Sequence, residues 1–256
     1  MGIDNILVAG AGALGALYGH KFIQNRKTWF LAEGERKKRL EQDGITVNGM
    51  RYNIQCRDSR DTDALPDLIF IAVKYHDLPE VVRQIAGLVT EETLIVSVLN
   101  GIDSEEIIRQ GTKKGKILLS VPLGMDAVRE GSATIYTTEG KLFFGHFDSS
   151  TNQTDMDSVN RLLDECKIAC EYTENIRHVM WYKFMINTGI NQVSAILSAN
   201  YRFMRENIYA REIMDRTMME VIAIANAEGV DLSSSDLEKW YKILYSLGAE
   251  GKTSMC

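Results

Sequence analysis

Five polar side chains interrupt a largely apolar stretch, residues 181–199, and their types and spacing could serve chemistry. At 100° per residue in a helix they share an arc of roughly 80°. They are Lys183, Asn187, Asn191, Ser194 and Ser198. Most of the remaining circumference is apolar, which predicts a buried helix. A buried ammonium or amide without a partner costs on the order of several kcal/mol, so this polar stripe requires protein partners or a polar ligand.

Two interpretations of the polar stripe are open. It is either a face exposed to solvent or the lining of a site for a polar ligand. Exposed helix faces usually mix glutamate with lysine, whereas this stripe contains no acid. The composition of the stripe therefore favours the lining of a ligand site.

A glycine-rich turn near the N-terminus has the pattern of a dinucleotide site. Gly10, Gly12 and Gly15 follow a predicted strand and open a predicted helix, with Ala13 and Leu14 between them. In such a turn the first glycine permits the tight bend, and the second lets the backbone approach a pyrophosphate. The third allows close packing of helix on strand. A glycine turn that serves packing alone is the alternative, and the strand–turn–helix context favours dinucleotide binding.

An acid at the end of the next predicted strand bears on the choice of cofactor. Glu33 lies about 20 residues after the glycines, where an acid normally accepts hydrogen bonds from the ribose hydroxyls of NAD. A carboxylate there also repels the 2′-phosphate of NADP. A surface glutamate without this role is the alternative, and Arg36, Lys37 or Lys38 could contact a phosphate instead.

The first part of the chain alternates short apolar runs with helical stretches. Continuous apolar runs are typical of strands that are buried on both faces of a parallel sheet. They occupy residues 5–10, 28–33, 68–74, 93–100 and 116–123. Right-handed crossovers then predict a doubly wound sheet. Residues 133–146 resemble an antiparallel hairpin that turns at Glu139-Gly140, and residues 154–172 are predicted as a helix.

From residue 174 onward only helical periodicity is present. Helices are predicted at 209–230, ending on Gly229, and at 233–248, which begins with serine caps. The change of period predicts a dinucleotide-binding Rossmann domain over residues 1–174. A helical substrate and catalytic domain is predicted over residues 175–256.

The bulk properties of the chain exclude several classes of partner. Its 256 residues carry a net charge of −6 without a basic cluster, which argues against nucleic acid. No apolar run approaches the ~18–20 residues of a membrane span. The four cysteines are too few for a disulfide framework, so reduced thiols in the cytoplasm are expected. No two histidines have metal-ligand spacing, and we expect no metal.

Several separated motifs resemble the ketopantoate reductase (2-dehydropantoate 2-reductase) family. They are GAGALG at 10–15, AVK at 72–74, NG at 100–101, NIRHVMWYKFMIN at 175–187 and KTSM at 252–255. The resemblance implies an α/β fold, a Rossmann domain followed by an all-α domain like that of 6-phosphogluconate dehydrogenase. It also implies an oxidoreductase that reduces ketopantoate to pantoate with NADPH, a step of pantothenate biosynthesis.

The resemblance assigns substrate chemistry to the second domain. It implies that Lys183 is catalytic and that Asn187, Asn191 and Ser254 bind the substrate. Hydride delivery to C2 of a keto acid builds negative charge on the carbonyl oxygen. An ammonium aimed there stabilises that charge and can supply the proton.

The resemblance also assigns cofactor contacts and shows three departures. It places Asn100 beside the nicotinamide and Lys74 near the adenosine. Glu33 stands where the family usually has an arginine for the 2′-phosphate, so we expect NADH to be used at least as well as NADPH. Asp103 replaces a second glycine of the NG motif. The sequence stops at Cys256, before a glutamate of the family pattern, so the helical domain is expected to be truncated and the activity of this chain is open.

Three functions are weighed for the chain. The first is reduction of ketopantoate with NAD(P)H. The second is reduction of another 2- or 3-keto acid, and the third is a non-catalytic NAD(P)-binding redox sensor. Retention of Lys183, Asn187, Asn191 and Ser254 together counts against the sensor. A small keto acid is the expected partner, and exposed apolar surface on a truncated helical domain favours association, with a homodimer left open.

Overall fold

The computed structural model describes residues 2–256, which divide into two compact units. The first unit ends at Ile176 and the second spans Arg177–Cys256. The sequence changes period two residues earlier, near 174. The assignment of a cofactor domain to 1–174 and of a substrate domain to 175–256 stays a prediction.

The first unit is built on a twisted sheet that helices cover. Its strands are β1 (Asn5–Ala9), β2 (Lys27–Leu31), β3 (Ile45–Val47), β4 (Met50–Tyr52), β5 (Gln55–Arg57), β6 (Leu68–Ile71), β7 (Leu94–Ser97), β8 (Lys116–Met125), β9 (Val128–Glu130), β10 (Ala133–Ile135), β11 (Glu139–His146) and β12 (Cys170–Tyr172). Its helices are α1 (Ala13–Asn25), α2 (Gly34–Asp43), α3 (Leu78–Ile85), α4 (Ser104–Thr112) and α5 (Gln153–Glu165).

The main sheet is doubly wound around β1. Its strand order is β12-β11-β8-β7-β6-β1-β2-β5, and its pairs are parallel except where β11 runs antiparallel to β8. The order in which strands are added reverses at β1. The chain passes from β1 to β2 on one side, and β6 is then added on the other side of β1. The carboxyl ends of β1, β6 and β7 therefore meet at one edge, which is where ligands bind in such sheets.

Two layers of apolar side chains hold the helices onto the sheet. Val8 of β1 and Phe22 of α1 belong to the layer on one face. Leu7 of β1 belongs to the opposite layer, with Val82 of α3 and Ile108 of α4. Neighbouring residues of β1 thus point to opposite faces and are both fully buried, as expected of a central parallel strand.

The predicted hairpin over residues 133–146 is wrong. β10 lies in a second sheet of order β4-β3-β10-β9, whereas β11 pairs with β8 of the main sheet. Gly140 is not a turn residue: it lies within β11 at φ +65°, where a Cβ would collide with the carbonyl oxygen of Leu123. A close approach of two strands explains this glycine.

The predicted helix over residues 154–172 is also too long. α5 begins after Asn152, whose side chain forms a capping box with Asp155, and it ends at Glu165. Lys167 then adopts a left-handed conformation with φ +55°, and the chain returns to the sheet as β12. With only three residues, β12 is too short to show a strand pattern of its own in the sequence, so the predicted helix extends through it.

The second unit is helical. Its elements are α6 (Ile176–Ile186), a π-turn (Asn187–Asn191), α7 (Gln192–Leu197), α8 (Tyr201–Glu206), α9 (Ile208–Ala227) and α10 (Ser234–Ser246). Methionines fill much of the core, with Met185, Met204, Met214 and Met218 fully buried. Within residues 2–256, no helix combines the length and the apolar character that a membrane span needs.

Candidate active site

The three glycines of the N-terminal turn have distinct geometric roles. Gly10 has φ +112°, and a Cβ there would collide with the carbonyl oxygen of Ala72. Gly15 is buried, and a Cβ on it would collide with the carbonyl oxygen of Gly10. Gly12, in contrast, has no heavy atom within 4 Å of its Cβ position. The first and third glycines serve the fold, whereas the second leaves open space for a ligand to approach the backbone.

The N-terminus of α1 faces this open space without a side-chain cap. Gly12 is the N-cap residue, no side chain caps the helix, and no acid lies in its first turn. Its first N–H groups therefore remain available to an anion, which the positive end of the helix dipole also favours. Ala13 and Leu14 belong to this first turn and line the adjoining cavity.

A cavity of about 640 Å³ lies at the carboxyl ends of β1, β6 and β7. Its walls include the glycine turn, Lys74 after β6 and Asn100 after β7. Both side chains lie on exposed parts of their loops. The structure thus brings together residues 10, 12, 13, 14, 74 and 100 of the predicted cofactor set. Gly15 lies beneath the turn, and Glu33 is not part of the cavity wall.

Three further cations line the same cavity, and two of them, Arg39 and Arg129, were not singled out from the sequence. Arg36 and Arg39 project from α2, and Arg129 reaches in from β9 of the second sheet. The guanidinium of Arg129 donates a hydrogen bond to the carbonyl oxygen of Ala11, in the glycine turn. With Lys74 these are four cations.

The cavity wall contains few acidic side chains. Asp77 is the one acid among the described lining residues. A cavity with this excess of positive charge, in a chain of net charge −6, attracts an anion with several charges.

Glu33 is engaged by a neighbouring loop. It occupies the N-cap position of α2, and its carboxylate accepts hydrogen bonds from the backbone N–H of Ser59, at 3.3 Å, and from the Ser59 hydroxyl. Lys37 and Lys38 do not line the cavity and pair with other acids on the surface. Of the basic residues in this region considered from the sequence, Arg36 is the one that lines the cavity.

Asp103, which replaces a glycine of the family pattern, links two loops. Its carboxylate accepts a hydrogen bond of 2.8 Å from the hydroxyl of Tyr75, and this raises the pKa of Tyr75. Tyr75 follows Lys74 and also lines the cavity. The loops that follow β6 and β7 are therefore bridged beside the cavity.

In the helical unit, Lys183 lies near the end of α6 and is partly buried. Burial lowers the pKa of Lys183 from 10.5 to about 8, because the loss of surrounding water disfavours the charged form. An amine with this pKa can donate a proton near neutral pH and hold the charged form when an anion is close. Its position is that of a candidate acid in the helical unit.

A π-turn follows Lys183 and carries both asparagines. Asn187 opens the turn and Asn191 closes it, and the Asn191 amide donates a hydrogen bond of 3.3 Å to the Asn187 amide oxygen. A π-turn includes one residue more than a turn of α-helix, so the helix beyond it is rotated by roughly 100°. Ser194 is therefore fully buried and bonded to Thr253 at 2.8 Å, away from the predicted polar stripe.

Ser198, at the end of the predicted polar stripe, and Ser254, predicted to bind the substrate, have surroundings that differ from those of the two asparagines. Ser198 caps α7 in a left-handed conformation with φ +52° and is exposed. Ser254 is also exposed, whereas its neighbour Thr253 is buried against Ser194. The structure brings Asn187 and Asn191 into contact, and places Ser194 and Ser254 on differently exposed parts of the unit.

Both parts of the chain match known families. Residues 6–149 match the family described as Ketopantoate reductase PanE/ApbA. Residues 175–256 match the family described as Ketopantoate reductase PanE/ApbA C terminal. The chain belongs to the ketopantoate reductase family.

Individual members of this family and its fold resemble the chain at low sequence identity. A 2-dehydropantoate 2-reductase of Streptococcus pyogenes serotype M3 is 24% identical over 240 residues, which cover 92% of this chain and 78% of the relative. A dimeric ketopantoate reductase from Staphylococcus aureus has a TM-score of 0.81 at 22% identity, over 98% of this chain and 83% of its own. A structure of D-mandelate dehydrogenase with NADH and anilino(oxo)acetate has a TM-score of 0.86 at 20% identity, with the same coverage.

Two residues of the cavity wall, Arg39 and Arg129, were not identified from the sequence. Arg39 lies in a strongly polar helix where it resembles any surface cation, and Arg129 lies 118 residues from the carbonyl it contacts. Only the second sheet brings Arg129 to the glycine turn. Among residues 2–256, no group of three or more His, Cys, Asp or Glu side chains could hold a metal ion.

Proposed function

We propose that this ketopantoate reductase family member reduces the C2 carbonyl of 2-dehydropantoate to a hydroxyl with a nicotinamide cofactor. The observation that carries the proposal is a partly buried lysine, Lys183, whose pKa is lowered to about 8, followed by the paired amides of Asn187 and Asn191. This arrangement suits an anionic substrate whose carbonyl oxygen gains negative charge during reduction.

The cofactor cavity of the first unit fits a dinucleotide. Gly12 leaves space at the turn, the N-terminus of α1 is uncapped, and Lys74 and Arg129 offer positive charge at the wall. When bound, the reduced nicotinamide supplies the hydride. The glycine turn would hold the pyrophosphate, and Asn100 would bind the nicotinamide end through its amide.

The residues of the helical unit would act on the substrate. The Lys183 ammonium would stabilise the charge on the carbonyl oxygen and donate the proton that completes the hydroxyl. Asn187 and Asn191 would bind neutral and anionic oxygens of the substrate without adding charge. Ser254, exposed near the C-terminal end, would add a hydroxyl contact to the substrate.

Cofactor choice depends on two opposing features of α2. Glu33 at its N-cap favours a ribose diol, although Ser59 already occupies its carboxylate, and we still expect NADH to be used at least as well as NADPH. Arg36 and Arg39 line the cavity and would favour a 2′-phosphate. At roughly 4–5 Å and an effective dielectric near 20, each such charge contributes about a few kcal/mol before screening.

Titration of NADH and NADPH into three variants tests the origin of this choice. Glu33→Arg should move the affinity ratio toward NADPH by about tenfold, which is about 1.4 kcal/mol. Arg36→Ala and Arg39→Ala should weaken NADPH about tenfold and leave NADH within about twofold. Lys38→Ala, on the same helix but paired with Glu35, is the matched control. A wild-type protein that binds NADPH ten times more tightly than NADH would contradict the role given to Glu33.

The substrate is tested by the loss of nicotinamide absorbance with a panel of keto acids. We expect 2-dehydropantoate to be reduced with the highest kcat/KM in a panel that also contains phenylglyoxylate and 2-oxobutyrate. D-mandelate dehydrogenase, which shares the fold, was solved with anilino(oxo)acetate and NADH, so a relative that reduces another keto acid is the second candidate. Cofactor binding without any turnover would instead support the redox sensor.

We also propose that the chain forms a homodimer and acts in the cytoplasm. Large apolar side chains are exposed on α9, among them Tyr209 at 70% and Ile213 at 52% of their full accessibility. Exposed apolar surface of this kind favours association. The four cysteines are free thiols, which agrees with a reducing compartment.

A further inference from the structure

A buried polar network joins the two ends of the loop that carries Asn100. This loop, residues 98–103, connects β7 to α4 and is called the Asn100 loop below. Ser97 is the last residue of β7 and Ser104 is the first of α4. Their hydroxyl oxygens are 2.8 Å apart, and both residues are buried. The hydrogen bond between them closes the loop at its base.

The direction of each hydrogen bond follows from the number of protons. The Ser104 hydroxyl donates to Oε2 of Glu105 at 2.8 Å. Because a hydroxyl has one proton, Ser97 must be the donor in its bond to Ser104. The Ser120 hydroxyl of β8 donates in turn to the backbone carbonyl of Ser97. The base of the loop is thus connected to the neighbouring strand on one side and to Glu105 on the other.

Glu105 is the unusual member of this network. Only 1% of its surface is exposed, and burial raises the pKa of Glu105 to about 7. Its carboxylate is stabilised by the Ser104 hydroxyl, by the backbone N–H of Ser120 and by its own backbone N–H. It also lies in the first turn of α4, where the helix dipole favours an acceptor. A carboxyl group buried in this way is costly, and a leucine would cover the same space without that cost.

A second contact to the Asn100 loop is weaker. Asp103 accepts a hydrogen bond from Tyr75 at 2.8 Å, but both side chains are exposed to solvent. Exposed contacts of this kind are screened by water and contribute little. The buried contacts at the base of the loop therefore dominate its position.

We propose that Glu105 is a positioning residue for Asn100. Through Ser104 and Ser97 it holds both ends of the Asn100 loop, and so determines where the Asn100 amide lies at the cavity wall. The inference rests on the proposed function, in which Asn100 binds the nicotinamide end of the cofactor. Supporting residues that fix the side chains of a binding site in this way are a general requirement of preorganised sites.

Fluorescence titration of NADH and NADPH tests the role of Glu105 without any keto acid. Glu105→Leu should raise the cofactor Kd about tenfold, the size expected when one hydrogen bond is lost. Glu106→Gln is the matched control, because Glu106 lies in the same first turn of α4 but is exposed and bonded to Gln110. It should leave the Kd within about twofold.

A double-mutant cycle separates positioning from a general loss of structure. Asn100→Ala should itself raise the Kd about tenfold. If Glu105 acts through Asn100, Glu105→Leu should add less than about twofold in the Asn100→Ala background. An equal effect of Glu105→Leu in both backgrounds would overturn the proposal, as would a Kd unchanged by either single substitution.

Two milder substitutions keep the test decisive if Glu105→Leu does not fold. Ser97→Ala and Ser104→Ala each remove one hydroxyl, and each should raise the Kd about threefold or more in wild type but not in Asn100→Ala. Failure of both to do so overturns the proposal. A wild-type protein that binds cofactor but reduces no 2-dehydropantoate would contradict the proposed function alone, whereas one that binds no cofactor would overturn both.

Discussion

The burial of Lys183 determines in which protonation state its amine can act. Burial lowers its pKa to about 8, so the charged and neutral forms are close in free energy near neutral pH. Neighbouring asparagines can bind oxygens of a substrate but cannot exchange a proton at this pH. Within the proposed site of the helical unit, proton donation therefore belongs to the lysine.

Replacement of Lys183 by alanine should reduce turnover and leave cofactor binding intact. Loss of one group that stabilises an oxyanion lowers kcat by about 10²–10³. We expect the cofactor Kd to stay within about threefold, since the residue lies in the helical unit. Steady-state kinetics and cofactor titration measure both quantities. Lys242→Ala, an exposed lysine of α10, is the control, and a Lys183→Ala variant with kcat within threefold of wild type would exclude Lys183 from the mechanism.

The pH dependence of reduction should report the pKa of Lys183. In the proposed mechanism the ammonium form of Lys183 is the active one, so kcat/KM should be level below pH about 7 and should fall about tenfold per pH unit well above 8. The free energy of unfolding should change with pH in the opposite direction. In the unfolded chain Lys183 has a pKa of 10.5 and binds its proton more tightly than in the folded chain. The contribution of Lys183 to the free energy of unfolding therefore grows as pH rises from about 8 to 10.5. A kcat/KM profile without a limb between pH 7 and 10 would contradict this assignment.

At the scale of elements, the π-turn decides how the polar residues after Lys183 are arranged. Gly189 lies inside the turn and packs against Met218 of α9, where a Cβ would come within 2.5 Å of the methionine Cγ and Cε. Met218 is fully buried and cannot move into solvent. The close contact between this glycine and α9 therefore supports the turn that brings Asn187 and Asn191 together.

Substitution of Gly189 by alanine should disturb the substrate residues through Met218. Overpacking of this size costs about 1–3 kcal/mol, and we expect the free energy of unfolding to fall by that amount. The KM for the keto acid should rise about tenfold while the cofactor Kd is unchanged. In Gly189→Ala/Met218→Ala the added methyl group has space, so the double variant should be more stable than the sum of the two single effects. Strict additivity in denaturant unfolding would argue against this contact.

At the scale of the whole molecule, several exposed apolar side chains are grouped on one side of α9, around the exposed Glu220. Tyr209, Ile213 and Ile224 lie within an arc of roughly 60° on this helix, and each is more than half exposed. Monomeric proteins rarely leave such side chains grouped on one element. The face is where we expect a second copy of the chain to pack.

A charged residue on that face should weaken association. We expect sedimentation velocity to show a dimer whose population grows with concentration, and Ile213→Lys to shift it toward the monomer by about tenfold in Kd. Ile135→Lys, which alters a partly exposed isoleucine of β10 in the first unit, is the control. A wild-type chain that stays monomeric at all concentrations would contradict the homodimer.

Much of the first unit could be predicted from local patterns in the sequence. Continuous apolar runs indicated β1, β2, β6, β7 and β8, because strands buried on both faces need no polar positions. The spacing of Gly10, Gly12 and Gly15 indicated a turn whose conformations depend on a few neighbouring atoms. The resemblance to the family, and not a local pattern, predicted that Lys74 and Asn100 lie near the cofactor, and both line the cavity at the carboxyl ends of the strands.

Contacts between distant parts of the chain decided the rest. The sheet that contains β9 brings Arg129 to Ala11, and no pattern within either segment records this pairing. Ser59 binds Glu33 because β5 lies beside β2, which also limits what a carboxylate at that position can do.

The polar stripe shows most clearly where a sequence pattern stops being sufficient. An ideal 100° period placed Ser194 beside Lys183 and the asparagines. Packing of Gly189 against α9 accompanies a π-turn, which rotates Ser194 into the core. Periodicity determines which face of a regular helix is polar, whereas close contacts with other elements determine whether the helix remains regular.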